Sequence, residues 1–299
     1  MRRADRNTVR ATVATIVCHV IWGFSFLASR RGLSEAPVFV LLSHRFLPAF
    51  LLMSLLPGRV RELRTLRRRE LLWLLALGLM EPVLYFFGEQ YGLLHSNTVF
   101  SGVMIAMIPV AAALAAVPIL RERLTPGQLL FSLLSVSGVV GMGLYSSSSG
   151  VLDALGVGML LLAVFSAAGY SLLTRRLSAQ VSAFTRAYAI IAVGAAVFTP
   201  LALLQSGGLA GYLRPLGQPG YVASVAFLAA GCSVLSYFLS GYALTHLSVA
   251  RESVYSNLTT AVSVFAGVVF LREPFSWLSL VCCALILIGI YGVQRCTRT

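Results

Sequence analysis

The sequence predicts an all-α integral membrane protein: ten transmembrane helices arranged as two inverted five-helix repeats around a central cavity. Three observations carry this prediction. Hydrophobic residues make up 58% of the 299 and charged residues only 11%, with a mean hydropathy of +0.86, whereas soluble domains carry about 25% charged residues. Ten apolar stretches occupy nearly the whole chain. The two halves also match each other at a fixed offset.

The stretches cover 11–29, 37–56, 71–93, 98–120, 127–145, 153–174, 183–204, 220–244, 252–271 and 276–294. A helix of about 20 residues crosses the roughly 30 Å of a bilayer core. These runs are too long and too uniformly apolar for barrel strands, which alternate over about ten residues. Short breaks carry turn signals, among them Pro57-Gly58, Thr125-Pro126-Gly127 and Gln218-Pro219-Gly220. The first stretch follows a basic leader but lacks a small-x-small cleavage site, and Trp22, Phe24 and Phe26 sit where one would fall. It is therefore expected to be retained as a membrane helix.

The net charge is +13, and all 23 basic residues are arginine. With the N-terminus inside, 18 arginines fall in inner loops and tails, four in outer loops, and one, Arg45, within an apolar run. That split follows the positive-inside rule for ten helices with both termini cytoplasmic in a bacterial inner membrane. The charge is spread over loops and forms no stripe, so no nucleic-acid partner is expected. The five cysteines lie in or beside apolar runs without a C-x-x-C pair, and neither a disulfide nor a metal site is expected.

The segment Leu120-Arg121-Glu122-Arg123-Leu124-Thr125 recurs as Leu271-Arg272-Glu273-Pro274-Phe275-Ser276, an offset of 151. The same offset pairs Tyr91 with Tyr242, Leu93 with Leu244, His95 with His246, Gly138 with Gly289 and Gly141 with Gly292. Trp22-Gly23-Phe24-Ser25 faces Ala168-Gly169-Tyr170-Ser171 at offset 146. The expected organisation is a first repeat over 1–145, a Ser-rich linker over 146–152 and a second repeat over 153–299, together one transport domain. Five helices per half is an odd number, so the second half must enter the membrane upside down. Such repeats rock about a midplane site in carriers.

Trp22-Gly23 in helix one, Arg45 in helix two, Pro109 in helix four, Glu122-Arg123-Leu124 after it, and Gly138 and Gly141 in helix five resemble the drug/metabolite transporter superfamily, EamA type. The resemblance covers the whole chain. The second half departs from it, with Thr260 in place of the proline and Pro274-Phe275 after Glu273. The resemblance implies export of small metabolites, often amino acids including aromatic ones, without an ATP-binding domain or cofactor.

Ionisable groups are costly within a bilayer, at least about 2.5 kcal/mol each, and usually face a cavity or one another. His19, His44, Arg45, Glu81 and Glu89 fall within the runs. Glu81, Tyr85 and Glu89 recur at i, i+4 and i+8 on one face of helix three, where Pro82 can introduce a kink. Arg45 or His44 is expected to pair with Glu81 or to bind a substrate carboxylate, and Glu81 or Glu89 to accept an amine or a proton. A purely structural pair between helices two and three is the alternative. Trp22, Ser101, Tyr170, Tyr237, Ser253 and Asn257 supply further donors, acceptors and aromatic wall for a small zwitterion. Gly138–Gly141 and Gly289–Gly292 are expected to pack helices five and ten together, or to form a dimer contact; a monomer in membrane lipid is the main expectation.

Two other functions make different demands on the sequence. A cationic-drug carrier would use a membrane acid in an aromatic cage, which Glu81, Tyr85 and Trp22 also fit. An intramembrane enzyme needs a concentrated constellation, but there is no H-E-x-x-H, the only aspartates are Asp5 and Asp153, and the histidines are scattered at 19, 44, 95 and 246. A Walker A motif is impossible without lysine.

Overall fold

A computed structural model describes residues 3–55, 66–120, 125–148, 150, 152–177, 180–247 and 249–296. Among the described residues every regular element is helical. The first half contains α1 (Arg3–Leu33), α2 (Val38–Ser54), α3 (Arg68–Gly78), a π-helical stretch (Leu79–Leu84), α4 (Tyr85–Leu94), α5 (Thr98–Ile105), α6 (Ile108–Leu120) and α7 (Pro126–Ser148). The second contains α8 (Ala154–Leu177), α9 (Ala183–Gln205), the short α10 (Leu209–Leu213) with a 3-10 turn (Arg214–Gly217), α11 (Pro219–Ala226), a π-helical stretch (Phe227–Leu235), α12 (Ser236–His246), α13 (Val249–Phe270) and α14 (Trp277–Cys296). Eight helical spans among the described residues are long and apolar enough to cross a membrane. Val38–Ser54 and Tyr255–Phe270 are shorter apolar helices.

Local chemistry explains the starts. Asn97 Oδ1 accepts from Phe100 N at 2.7 Å, Asp153 Oδ1 from Gly156 N at 2.8 Å, and Ser182 Oγ from Thr185 N at 3.2 Å. Each satisfies an amide that the first helical turn leaves unpaired. Thr125 and Gln128 cap α7 reciprocally, Thr125 N donating to Gln128 Oε1 at 2.8 Å. Pro219 opens α11, where a missing N–H costs nothing.

Three features depart from unbroken helices. The helix is interrupted by a turn at Ala106–Met107, between α5 and α6, where Pro109 has no N–H for the Ile105 carbonyl. The stretch before α4 carries Pro82, and Glu81 there has φ −139° and ψ 115°. The π-helical stretch Phe227–Leu235 contains no proline. Its carbonyls find other donors: Ser233 Oγ to Leu228 O at 3.0 Å, Ser236 Oγ to Gly231 O at 3.0 Å, and Trp22 Nε1 to Cys232 O at 3.2 Å. Irregular backbone at membrane depth persists where protein groups re-satisfy it.

Leu130, Leu133, Leu144, Leu204 and Trp277 are exposed on the outer surface of the bundle. Such a belt would aggregate in water and suits lipid. Inside, α7 runs along α14, α2 along α9, α1 against α12 and α13, and α8 against α4 and α6. The α7–α14 seam is tight at its glycines. A Cβ on Gly138 would come within 2.8 Å of the Cys282 carbonyl oxygen, and one on Gly289 within 2.7 Å of the Phe131 carbonyl oxygen. These glycines therefore pack the two helices against each other within one chain.

One set of helix ends is tied together by polar contacts. The Glu273 carboxylate, after α13, accepts from Thr98 N at 2.7 Å and Val99 N at 2.8 Å, capping α5 from the other half. Arg30 Nη1 donates to Leu93 O, His95 Nδ1 lies 2.8 Å from Asp153 Oδ2, and Phe39 N donates to Gln205 Oε1.

Candidate functional site

A cavity of about 930 Å³ lies between the two halves. It reaches the helix ends opposite those ties, where Met53, Thr174, Phe184 and Tyr242 bound it. The volume sits at the upper end of the range for small-molecule sites, about 300–1,000 Å³. Helices α1, α2, α4, α5, α6, α8, α9, α12 and α13 and both π-helical stretches contribute to its wall.

Arg45 is buried, and its side chain reaches the cavity from α2. Its Nε donates to Ser233 Oγ at 3.1 Å, and its guanidinium carbon lies 4.2 Å from the centre of the Phe86 ring. Phe86 thus supplies a cation–π face in place of water. Neither Glu81 nor Glu89 forms an ion pair with Arg45 among the described residues, so the expected direct pairing with helix three is absent. Ser233 takes that place because the π-helical stretch turns its hydroxyl towards α2.

Glu81 lines the cavity at the kink and accepts from Tyr237 Oη at 3.3 Å. Glu89 accepts from Tyr85 Oη at 2.9 Å and from Gln90 Nε2 at 2.8 Å. The helical spacing of Glu81, Tyr85 and Glu89 survives the kink, since all three reach the cavity. Trp22, Tyr170, Tyr237 and Asn257 also line it. The Trp22 and Tyr237 rings meet edge to face at 6.3 Å, and those of His19 and Trp22 at 5.3 Å.

Two candidates lie elsewhere. His44 turns away from Arg45: its Nδ1 is 2.8 Å from Tyr221 Oη and its ring 4.4 Å from that of Tyr212. Successive helical residues point about 100° apart, so neighbours in sequence need not share a face. Ser101 is fully buried and bonds Ser96 Oγ at 2.8 Å, outside the lining. Ser253 belongs to α13, but its side chain lies outside the described residues. Sequence reasoning missed Phe86, Gln90 and Arg186. Phe86 and Gln90 read as neutral members of an apolar run, and Arg186 as loop charge. In the structure Arg186 lines the cavity mouth from the first turn of α9 and donates to the Val181 carbonyl.

A helical membrane bundle with a large cavity and buried charge between two halves has the build of a small-molecule carrier. Comparison with known proteins names the family. The EamA-like transporter family matches twice, over residues 10–144 and 154–295, and the chain belongs to it. It is 32% identical to the uncharacterized transporter YcxC of Bacillus subtilis (strain 168), over 94% of this chain and 92% of that one. It is 28% identical to a probable terminal-alkyne amino-acid exporter of Streptantibioticus cattleyicolor, over 96% and 94% of the two chains. A solved crystal structure shares the fold with a TM-score of 0.60 at 20% identity, covering 95% of this chain and 97% of its own.

Proposed function

We propose that this transporter exports amino acids, aromatic and hydrophobic ones included, by alternating access from a bacterial inner membrane. The observation that carries the reading is a large cavity combining Arg45, two acids and aromatic wall. A zwitterion needs a donor for its carboxylate, an acceptor for its ammonium group and apolar surface for its side chain. Arg45, Glu81 and the rings of Trp22, Tyr85, Tyr170 and Tyr237 supply these, with the amide of Asn257 as a further polar contact. The named amino-acid exporter among its relatives supports the same cargo class.

In this reading the chain crosses the membrane ten times, α2 and α13 included, as two inverted repeats with both termini cytoplasmic. Helix pairing supports it. Numbering the crossings in order, the contacts 2–7, 4–9 and 5–10 join equivalent helices. The contact 3–6 has its counterpart in 1–8, and 4–6 in 1–9. Both third helices carry a π-helical stretch. With the arginine-rich loops cytoplasmic, the cavity opens inward and the Glu273 side is closed. The working unit is one chain.

A cationic drug is the second reading, favoured by the tyrosines around Glu81. Uptake into proteoliposomes of an amino-acid panel and a cationic dye, with and without a pH gradient, separates the two. Movement of amino acids supports the proposal; movement of the dye with no amino acid moving overturns it.

A further inference from the structure

Two acids face one cavity, yet their surroundings differ. Both carboxylate oxygens of Glu89 are occupied, Oε1 by Tyr85 Oη at 2.9 Å and Oε2 by Gln90 Nε2 at 2.8 Å. Glu89 is only 4% exposed, and Gln90 is held in turn by Ser29 Oγ at 3.4 Å. Glu81 has one long contact, 3.3 Å from Tyr237 Oη to Oε1. Its Oε2 has no hydrogen-bond partner among the described residues. Arg45 is similarly half-committed: Ser233 holds Nε and Phe86 covers one face, while both terminal nitrogens have no hydrogen-bond partner among the described residues. The cavity therefore presents one uncommitted carboxylate oxygen and one uncommitted pair of guanidinium donors.

We propose that Glu81 is the subsite for the substrate's ammonium group, and that Glu89 is a positioning residue that fixes the Tyr85 side of the wall without touching substrate. The proposal rests on the reading of this cavity as an amino-acid site. Glu81 stands at the non-helical kink, so its carboxylate projects from a break in the wall. Tyr237, Tyr170 and Trp22 line the same cavity, and aromatic faces favour an ammonium ion. A ligand without an amine would leave Glu81 bare, and one without a carboxylate would leave the Arg45 donors bare. Hydrogen bonds to charged groups are worth about 1.5–3 kcal/mol, or roughly 10- to 150-fold in affinity.

The test measures binding to the purified full chain of phenylalanine, 3-phenylpropionate (no amine) and phenethylamine (no carboxylate). The wild type should prefer phenylalanine to 3-phenylpropionate by at least about tenfold. Glu81→Gln should abolish that preference while leaving 3-phenylpropionate binding within a few fold. Glu81→Asp, which keeps the charge, should retain part of it. Glu89→Gln and Tyr85→Phe should weaken all three probes in parallel and preserve the ratio. A Glu81→Gln protein that keeps the preference, or a Glu89→Gln protein that loses it, overturns the assignment while leaving the cavity reading intact. A wild type that binds none of the three overturns both.

Discussion

The two halves of this transporter share a backbone plan but furnish different sides of the cavity. The first half supplies Arg45, Glu81 and Glu89, and the second supplies Tyr170, Tyr237 and Asn257. At the repeat offset of 151, Glu81, Tyr85 and Glu89 correspond to Cys232, Ser236 and Ser240. Arg186 is the second half's charged contribution, and it stays at the mouth with its guanidinium turned back to Val181. Along the α7–α14 seam the halves remain alike, glycine against helix on both sides. Duplication is thus constrained more tightly at the seam than at the cavity wall. Close packing demands the same small residues twice, whereas a binding site gains from one charged wall and one neutral wall that orient a polar ligand.

That contrast can be broken at several points, beginning with the largest effect. Arg45→Ala should abolish transport and lower the melting temperature. It removes the positive charge and leaves two acids at membrane depth, at a cost of about 3 kcal/mol. Arg45→Lys, without a planar fork or ring stacking, should recover only part of the activity. Proteoliposome uptake and thermal unfolding in detergent read both. Comparable activity in Arg45→Ala would show that the charged wall is scaffold.

The seam makes the opposite prediction. Gly138→Leu and Gly289→Leu should each destabilise by about 1–3 kcal/mol, and by similar amounts, because both sides are packed to contact. Markedly unequal losses would break the symmetry of the seam. Glu273→Gln should cost about 1 kcal/mol, since a neutral amide caps α5 less well than the carboxylate now bound to Thr98 N and Val99 N. Its melting temperature should fall by a few degrees.

The smallest effect is a pH dependence outside the membrane spans. The Gly156 amide, then the His95 side chain, holds the Asp153 carboxyl below its usual value of 3.8. A lowered folded pKa means that its stabilisation is complete above the unfolded value, near pH 4, and is lost as pH falls through the folded one. Melting curves between pH 6 and 3 should show a shallow loss of stability at the acid end, and Asp153→Asn should flatten it.

Much of the plan was legible in the sequence. Hydropathy and turn signals located the helical stretches, because lipid admits little else. The spacing of Glu81, Tyr85 and Glu89 gave one face, and the isolation of Arg45 in an apolar run marked it as functional or structural. What the sequence hid was tertiary. The π-helical stretch at Phe227–Leu235 has no local signature, so the Ser233 partner of Arg45 could not be foreseen. Phe86 reads as one more apolar residue until the guanidinium is seen above it. His44 adjoins Arg45 in the same helix, yet the cluster of Tyr212 and Tyr221 draws it to another side.

In the proposed function the cavity is an amino-acid site whose orienting charge comes from the first half. Counterflow of radiolabelled phenylalanine into loaded proteoliposomes, compared for the wild type and a folded Arg45→Gln protein, tests it most directly. Accumulation is expected with the wild type, and a loss of about a hundredfold in the variant. Equal counterflow by the two would contradict it.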